Sequence, residues 1–243
     1  MSLHKTLRTQ GSFLEKQETL KDTFLGEECL VLSCGPSLKH LSKDKIREFA
    51  RGKRVACIKQ AQIGFSDITD FHFINDNNVL KYDRREETLI FGSSGGLDEK
   101  TYSTFTDKQP DLFFQIDTSF GTTAGDCNFK DFEFSKKRRW GPGIMYETVL
   151  PSLLHMGFKT LYVVGWDYTT SPDGTLKHFY DETAAKKVLK NTGAKIGQMF
   201  AGEKEQLVSS TGELQEYLKN RNVKMYLISE VSELSQKLER MTI

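Results

Sequence analysis

Nowhere in the 243 residues do apolar side chains run for the roughly 18 to 20 positions that a bilayer-spanning helix needs. An excess of one charge is missing too. With 34 Lys and Arg against 33 Asp and Glu, the formal net charge is +1, so there is no polybasic field to hold nucleic acid or an anionic membrane. Cysteine is scarce: the four present (Cys29, Cys34, Cys57 and Cys127) form no CxxC pair and have no histidine at zinc-ligand spacing. Cys29 and Cys57 sit inside apolar runs and read as buried thiols, and no metal site is expected. The first twenty residues, MSLHKTLRTQGSFLEKQETL, are charged throughout and lack the apolar centre of a secretory signal. A soluble cytoplasmic protein is the expectation.

What is present can bury one sizeable core, since 37% of residues are hydrophobic and 11% aromatic. Apolar, β-branched or aromatic runs occur at 29–33, 55–59, 70–75, 88–92, 112–116, 160–166 and 223–229. Several do not alternate with polar residues, as strands covered on both faces would not. Helical patterns lie between them, clearest at 143–158, where Pro151 predicts a kink, and at 212–222. Strand, helix and strand in repetition predict an α/β fold, a Rossmann-like and mostly parallel sheet with helices on both faces. The expected organisation is a single α/β domain over 1–243, with an N-terminal helical extension (1–27) and a lid region at about 169–205. No internal repeat or low-complexity linker is present.

Ligands of parallel α/β folds bind at the carboxyl ends of strands. The stretch ECLVLSCGPSLKHL (28–41) puts a glycine at such an end. Gly35 is expected to let backbone approach a ligand, Pro36 to fix the turn, and Ser37 to cap the next segment or bond a phosphate. On that reading Gly35→Val removes nucleotide binding at little cost in stability. The loop matches neither phosphate-binding fingerprint, GxxxxGK[ST] or GxGxxG, and an ordinary strand-to-helix turn fits it as well. Further along, Arg139 precedes Trp140-Gly141-Pro142-Gly143 and then a helix, where a guanidinium and first-turn amides together suit an anion. Lys136, Lys137 and Arg138 read as a solvated run. Asp167 follows the next strand and suits a hydroxyl or basic partner, or a turn cap. Beyond it, His178-Phe179-Tyr180-Asp181 bunches titratable and aromatic groups in a loop that reads as a lid.

The segments CGPSLKHL, FHFIND, RRWGPGIMYETVLPSLLHMGFKTLYVVGWDY and VKMYLIS, in that order, resemble the bacterial sialyltransferases of glycosyltransferase family 42. They also resemble relatives that share the same core, the flagellin-modifying motility accessory factors and the pterin pyrophosphokinase-like archaeal proteins. The resemblance spans roughly residues 28–235 and implies a Rossmann-like, metal-independent transferase. Gly35, Pro36 and Ser37 match the family's loop near the sugar nucleotide, and Asn75 matches an asparagine after the third strand. Arg139 matches an arginine that is a candidate for binding donor phosphate, and Gly165 and Asp167 match a Gly-x-Asp at the later strand end. Four departures stand beside these matches. Cys34 replaces an asparagine, and Lys59 stands where a second donor-binding asparagine is expected. Tyr168 lies one residue ahead of the family's phosphate-steadying tyrosine, a place Thr169 takes. No histidine occurs in GEKEQLVSSTGEL, where the family's base is expected.

The function implied is transfer of a sugar, with a nonulosonic acid among the options, from a nucleotide donor to a glycan acceptor. Arg139, the amides around Gly141 and Gly143, and Tyr168 or Tyr180 are assigned to the leaving phosphate; His178 or Asp167 is assigned as base. The donor is a substrate, and no other cofactor is expected. Two alternatives stay open: a pyrophosphokinase-like enzyme using Asp76, Asp167 and Asp181 for metal, or a non-catalytic nucleotide- or sugar-binding module. Oligomerisation is left open.

Overall fold

A computed structural model describes residues 2–75, 81–105, 109–117, 133–139, 141, 143–169, 178–179 and 203–243. All seven predicted strands form: β1 (Glu28–Leu32), β2 (Arg54–Ile58), β3 (Phe71–Asn75), β4 (Leu89–Ser94), β5 (Leu112–Asp117), β7 (Thr160–Val164) and β8 (Lys224–Ile228). Two more were not expected, β6 (Lys137–Arg139) and β9 (Glu239–Arg240). Together they make one nine-stranded sheet in the order β6-β5-β4-β3-β2-β1-β7-β8-β9, and every neighbouring pair is parallel. The architecture is α/β and Rossmann-like.

The sheet has an apolar core on each face; β1, β2, β7 and β8 send alternate residues into both, and β3, β4 and β5 into the first. Val31, Ile58, Phe73, Phe91, Phe114 and Leu227 point to the first, where they meet α1 (Leu3–Thr9), α2 (Phe13–Leu20), α7 (Leu150–His155) and α8 (Glu203–Lys219). Leu30, Leu32, Val55 and Cys57 point to the second, beneath α3 (Ser37–His40), α4 (Lys43–Phe49) and α5 (Gln62–Phe65). Burial on both faces explains why these strands read as unbroken apolar runs.

Residues 1–27, read as an extension, are built into the first core. Leu7 and Leu20 are fully buried, and the Phe13 ring lies 5.4 Å from Phe114 and 5.6 Å from Phe134. Ser12 and Glu15 close a capping box that starts α2. Arg8 Nε donates to Asp111 Oδ1 at 2.8 Å, and Lys16 Nζ donates to the Asp111 carbonyl at 2.7 Å.

Two aspartates set strand register where strands begin. Asp70, just before β3, accepts the Val55 N–H through Oδ2 at 2.8 Å; Asp111, just before β5, accepts the Ile90 N–H in the same way at 2.8 Å. Asp111 is buried and also holds Arg8, so Asp111→Ala leaves the Ile90 N–H and Arg8 Nε without their acceptor, while the other Arg8 nitrogens keep the Glu86 and Thr88 carbonyls. A loss of about 2 kcal/mol in unfolding free energy is expected from urea titration, the scale of a hydrogen bond to a charged group.

Pro151 is accommodated by a π-turn over Met145–Val149 that leads into α7, rather than by a bend in one continuous helix. Proline has no N–H, so the Glu147 carbonyl four residues earlier loses its usual donor. Arg138 Nε supplies one at 3.0 Å, and a second Arg138 nitrogen donates to the Glu133 carbonyl. Arg138 is therefore 6% exposed, a correction to its reading as part of a solvated run, whereas Lys136 and Lys137 are exposed as expected. Among the described residues no helix is long and apolar enough to cross a membrane.

Candidate functional site

From β1 the chain builds outward on one side through β2 to β6, then returns to place β7 on the other side of β1. The carboxyl ends of β1 and β7 are thus the topological switch point, where open α/β sheets bind ligands. Four of the residues singled out in the sequence meet there. Asp167 Oδ2 accepts the Ser37 N–H at 2.7 Å, and Oδ1 accepts the hydroxyls of Ser37 at 2.8 Å and Ser229 at 2.6 Å. Ser37 Oγ accepts the Gly165 N–H at 3.0 Å, and Gly35 N donates to the Gly165 carbonyl at 2.6 Å.

These contacts close the crevice between the two loops. A Cβ on Gly35 would lie 2.5 Å from both Asp167 Oδ2 and the Gly165 carbonyl oxygen. Gly165 itself has φ +80° and leaves no room for a side chain against the Ser33 carbonyl. What approaches Gly35 is Asp167 and Gly165, not the ligand for which the glycine was read. Pro36 is the N-cap of α3, with φ −64°. Asp167 is 1% exposed and holds three donors of the protein itself, so the geometry gives it the task of joining β1, β7 and β8.

Cys34 turns into the second core, where its thiol donates to the Ile58 carbonyl at 3.2 Å and to Gln60 Oε1 at 3.6 Å. Burial pushes its pKa up to about 11, and the nearby Lys59 charge pulls the other way. Lys59 comes directly after β2, the strand paired with β1, so its backbone stands at the neighbouring strand end. Lys59 follows β2 in a left-handed conformation, φ +48°, at the start of a 3-10 turn over Lys59–Ala61. Among the described residues no carboxylate lies within ion-pair distance of it.

Asn75 ends β3 with Oδ1 buried and without a hydrogen-bond partner, and Thr169 Oγ1 is in the same condition just past β7. Tyr168, also left-handed at φ +54°, packs on the first core, and a Cβ on Gly143 would meet its hydroxyl at 2.9 Å. Gly143 N donates to the Gly141 carbonyl at 2.7 Å. So Tyr168 brings the 141–143 turn to the β7 end. His178 is half-buried, and the next residue, Phe179, donates its N–H to the Cys34 carbonyl at 2.9 Å, which places His178 beside the β1 loop.

Arg139 is not brought to this group by its backbone. It ends the outer strand β6, where it pairs with Asp117 of β5, and β6 is five strands from β1 and so roughly 24 Å away at about 4.8 Å per strand. Its side chain, Tyr180, Asp76, Asp181 and Cys127 lie outside the described residues, as does most of the lid region. Among the described residues no three His, Cys, Asp or Glu side chains are grouped to hold a metal.

Sequence reasoning missed Ser229, although β1 and β8 are both followed by a serine (Ser33 and Ser229), a repeated small polar residue that marks the site edge. At the amino ends of the strands lies an open hollow of about 460 Å³ lined by Arg47, Arg51, Lys53, Arg54 and Arg85. Its charge is already matched: Arg47 pairs with Asp67 at 2.9 Å, Arg54 with Glu27 at 3.1 Å and Arg85 with Asp70 at 3.0 Å. The buried oxygens without partners, of Asn75 and Thr169, are at the other end of the sheet.

No family model and no curated protein matches the chain. Among solved structures, it is similar to the MAf glycosyltransferase from Magnetospirillum magneticum AMB-1, with 11% identity and a TM-score of 0.45. That similarity covers 91% of this chain and 34% of the other, so the chain spans about a third of the length of the structure it matches.

Proposed function

We propose that the protein is a glycosyltransferase that takes a sugar from a nucleotide donor, binding the donor across the carboxyl ends of β3, β2, β1 and β7. The observation that carries the reading is the company Lys59 keeps. Among the described residues the Lys59 ammonium has no carboxylate partner; it follows β2, which lies in the sheet between β3 and β7, and past the ends of those two strands are two buried oxygens, Asn75 Oδ1 and Thr169 Oγ1, with no hydrogen-bond partner among the described residues. Buried polar atoms are normally satisfied, so a ligand that brings hydroxyl or amino groups and an anionic phosphate fits both needs. The resemblance to the sialyltransferases supports the same ligand and extends it to a glycan acceptor and a nonulosonic acid donor.

In this reading Lys59 meets the leaving phosphate, Tyr168 and the 141–143 turn line the donor, and His178 takes the acceptor proton. Asp167 keeps the loop in place and transfers no proton. Arg139 keeps the phosphate role only if the ligand reaches the outer strands.

Thermal unfolding with CMP, UDP, GDP and ATP, each with and without magnesium, tests the proposal. A pyrimidine nucleotide at a hundredfold excess over its Kd is expected to stabilise the protein by about 2.7 kcal/mol without metal. Strict dependence on magnesium with ATP would point instead to phosphoryl transfer, and no shift with any of the four would remove nucleotide binding altogether.

A further inference from the structure

His72 lies on β3, inside the sheet, and is 0% exposed. Its two nitrogens are both engaged in hydrogen bonds. Arg84 Nε lies 2.9 Å from Nδ1, and the Lys59 carbonyl lies 2.9 Å from Nε2. A guanidinium can only donate, so Nδ1 must accept, and the single proton of the neutral ring is on Nε2, where it donates to Lys59. The ring is held from the side by Tyr82, edge-on at 4.8 Å, and the Arg84 guanidinium lies 5.2 Å from that tyrosine's ring centre. The preceding residue, Asp83, accepts from Gln62 Nε2 at 2.9 Å, which ties the same short segment to the first residue after the Lys59–Ala61 turn.

The turn needs such support. A left-handed conformation at a residue with a side chain is unfavourable and persists where surrounding contacts hold it. The Lys59 carbonyl is held by the Nε2–H of His72 and by the Gln62 N–H that closes the turn. We propose that His72 is a positioning residue for the nucleotide site: by anchoring the Lys59 carbonyl, it fixes the direction in which that lysine presents its charge to the ligand phosphate. The inference rests on the reading of Lys59 as a phosphate-binding residue. Glutamine can reproduce the pattern with an amide N–H toward Lys59 and an amide oxygen toward Arg84. Leucine fills a similar space and reproduces neither bond.

The experiment has two arms on the full-length chain. In the first, without nucleotide, backbone hydrogen exchange of residues 59–62 is followed by mass spectrometry; His72→Leu is expected to speed it at least about tenfold and His72→Gln to restore it, within the span of local opening. In the second, CMP and UDP affinities are measured by calorimetry. His72→Leu and Lys59→Ala are each expected to weaken the bound nucleotide about tenfold, His72→Gln to stay near wild type, and His72→Leu/Lys59→Ala to be no weaker than Lys59→Ala alone. Unchanged exchange in His72→Leu would overturn the anchoring. Faster exchange with wild-type affinity, or additive losses in the double variant, would overturn positioning for the ligand. If wild type binds neither nucleotide while exchange responds as described, the proposed function falls, and with it the ligand half of this inference; the anchoring stands.

Discussion

Replacing Gly35 by alanine is expected to cost at least about 3 kcal/mol of stability, the upper end for overpacking a filled site. A single methyl would stand 2.5 Å from Asp167 Oδ2, 2.5 Å from the Gly165 oxygen and 2.9 Å from Asp167 Cγ. None of these can yield cheaply. Gly165 is backbone in a left-handed conformation, and Asp167 is held by Ser37 and Ser229. Moving the carboxylate strands an amide and two hydroxyls in a buried setting, each at about 1–3 kcal/mol. Valine is worse, which reverses the sequence-based expectation that this position tolerates it. Urea unfolding of Gly35→Ala beside wild type settles the matter; an unchanged midpoint would mean that the β1 and β7 loops are not packed against each other.

Arg138→Ala is expected to lose about 3 kcal/mol as well, because two carbonyls, of Glu147 and Glu133, lose a charged donor in the interior. The Glu147 carbonyl has no replacement, since the residue that would bond it along the helix is Pro151. Lys137→Ala, one residue earlier on the exposed side of the same strand, is expected to stay within about 0.5 kcal/mol. Thermal unfolding of the pair distinguishes a structural arginine from a diffuse basic patch, for which the two losses would be alike.

The sheet was legible because its inner strands are buried on both faces and consist of little but apolar residues. Its two rims were not. β6 is Lys-Arg-Arg and β9 is Glu-Arg, and charge at an edge strand hides it from any apolar pattern while protecting the edge from pairing with other chains. At the site, the Gly35 and Gly165 segments were each identifiable by their glycines. Their mutual contact was not, since Ser37 and Asp167 are 130 residues apart and only the strand order brings them together. Cys34 looked like a ligand contact by position; its side chain follows the strand's alternation into the second core. His72 offered no signal, because a histidine inside FHFIN reads the same whether or not its ring anchors a turn.

The place of β1 in the sheet also has a consequence for how the chain is made. β1 is followed by β2 within a few tens of residues, yet its other neighbour, β7, which pairs Val164 with Leu32, is synthesised more than a hundred residues later. Until β7 is made, that edge of Cys29-Leu30-Val31-Leu32 has no strand beside it. Unlike β6 and β9, that edge carries no charge to deter pairing with another nascent chain. That uncharged edge of the central strand is a surface open to strand pairing until the 160–164 segment covers it.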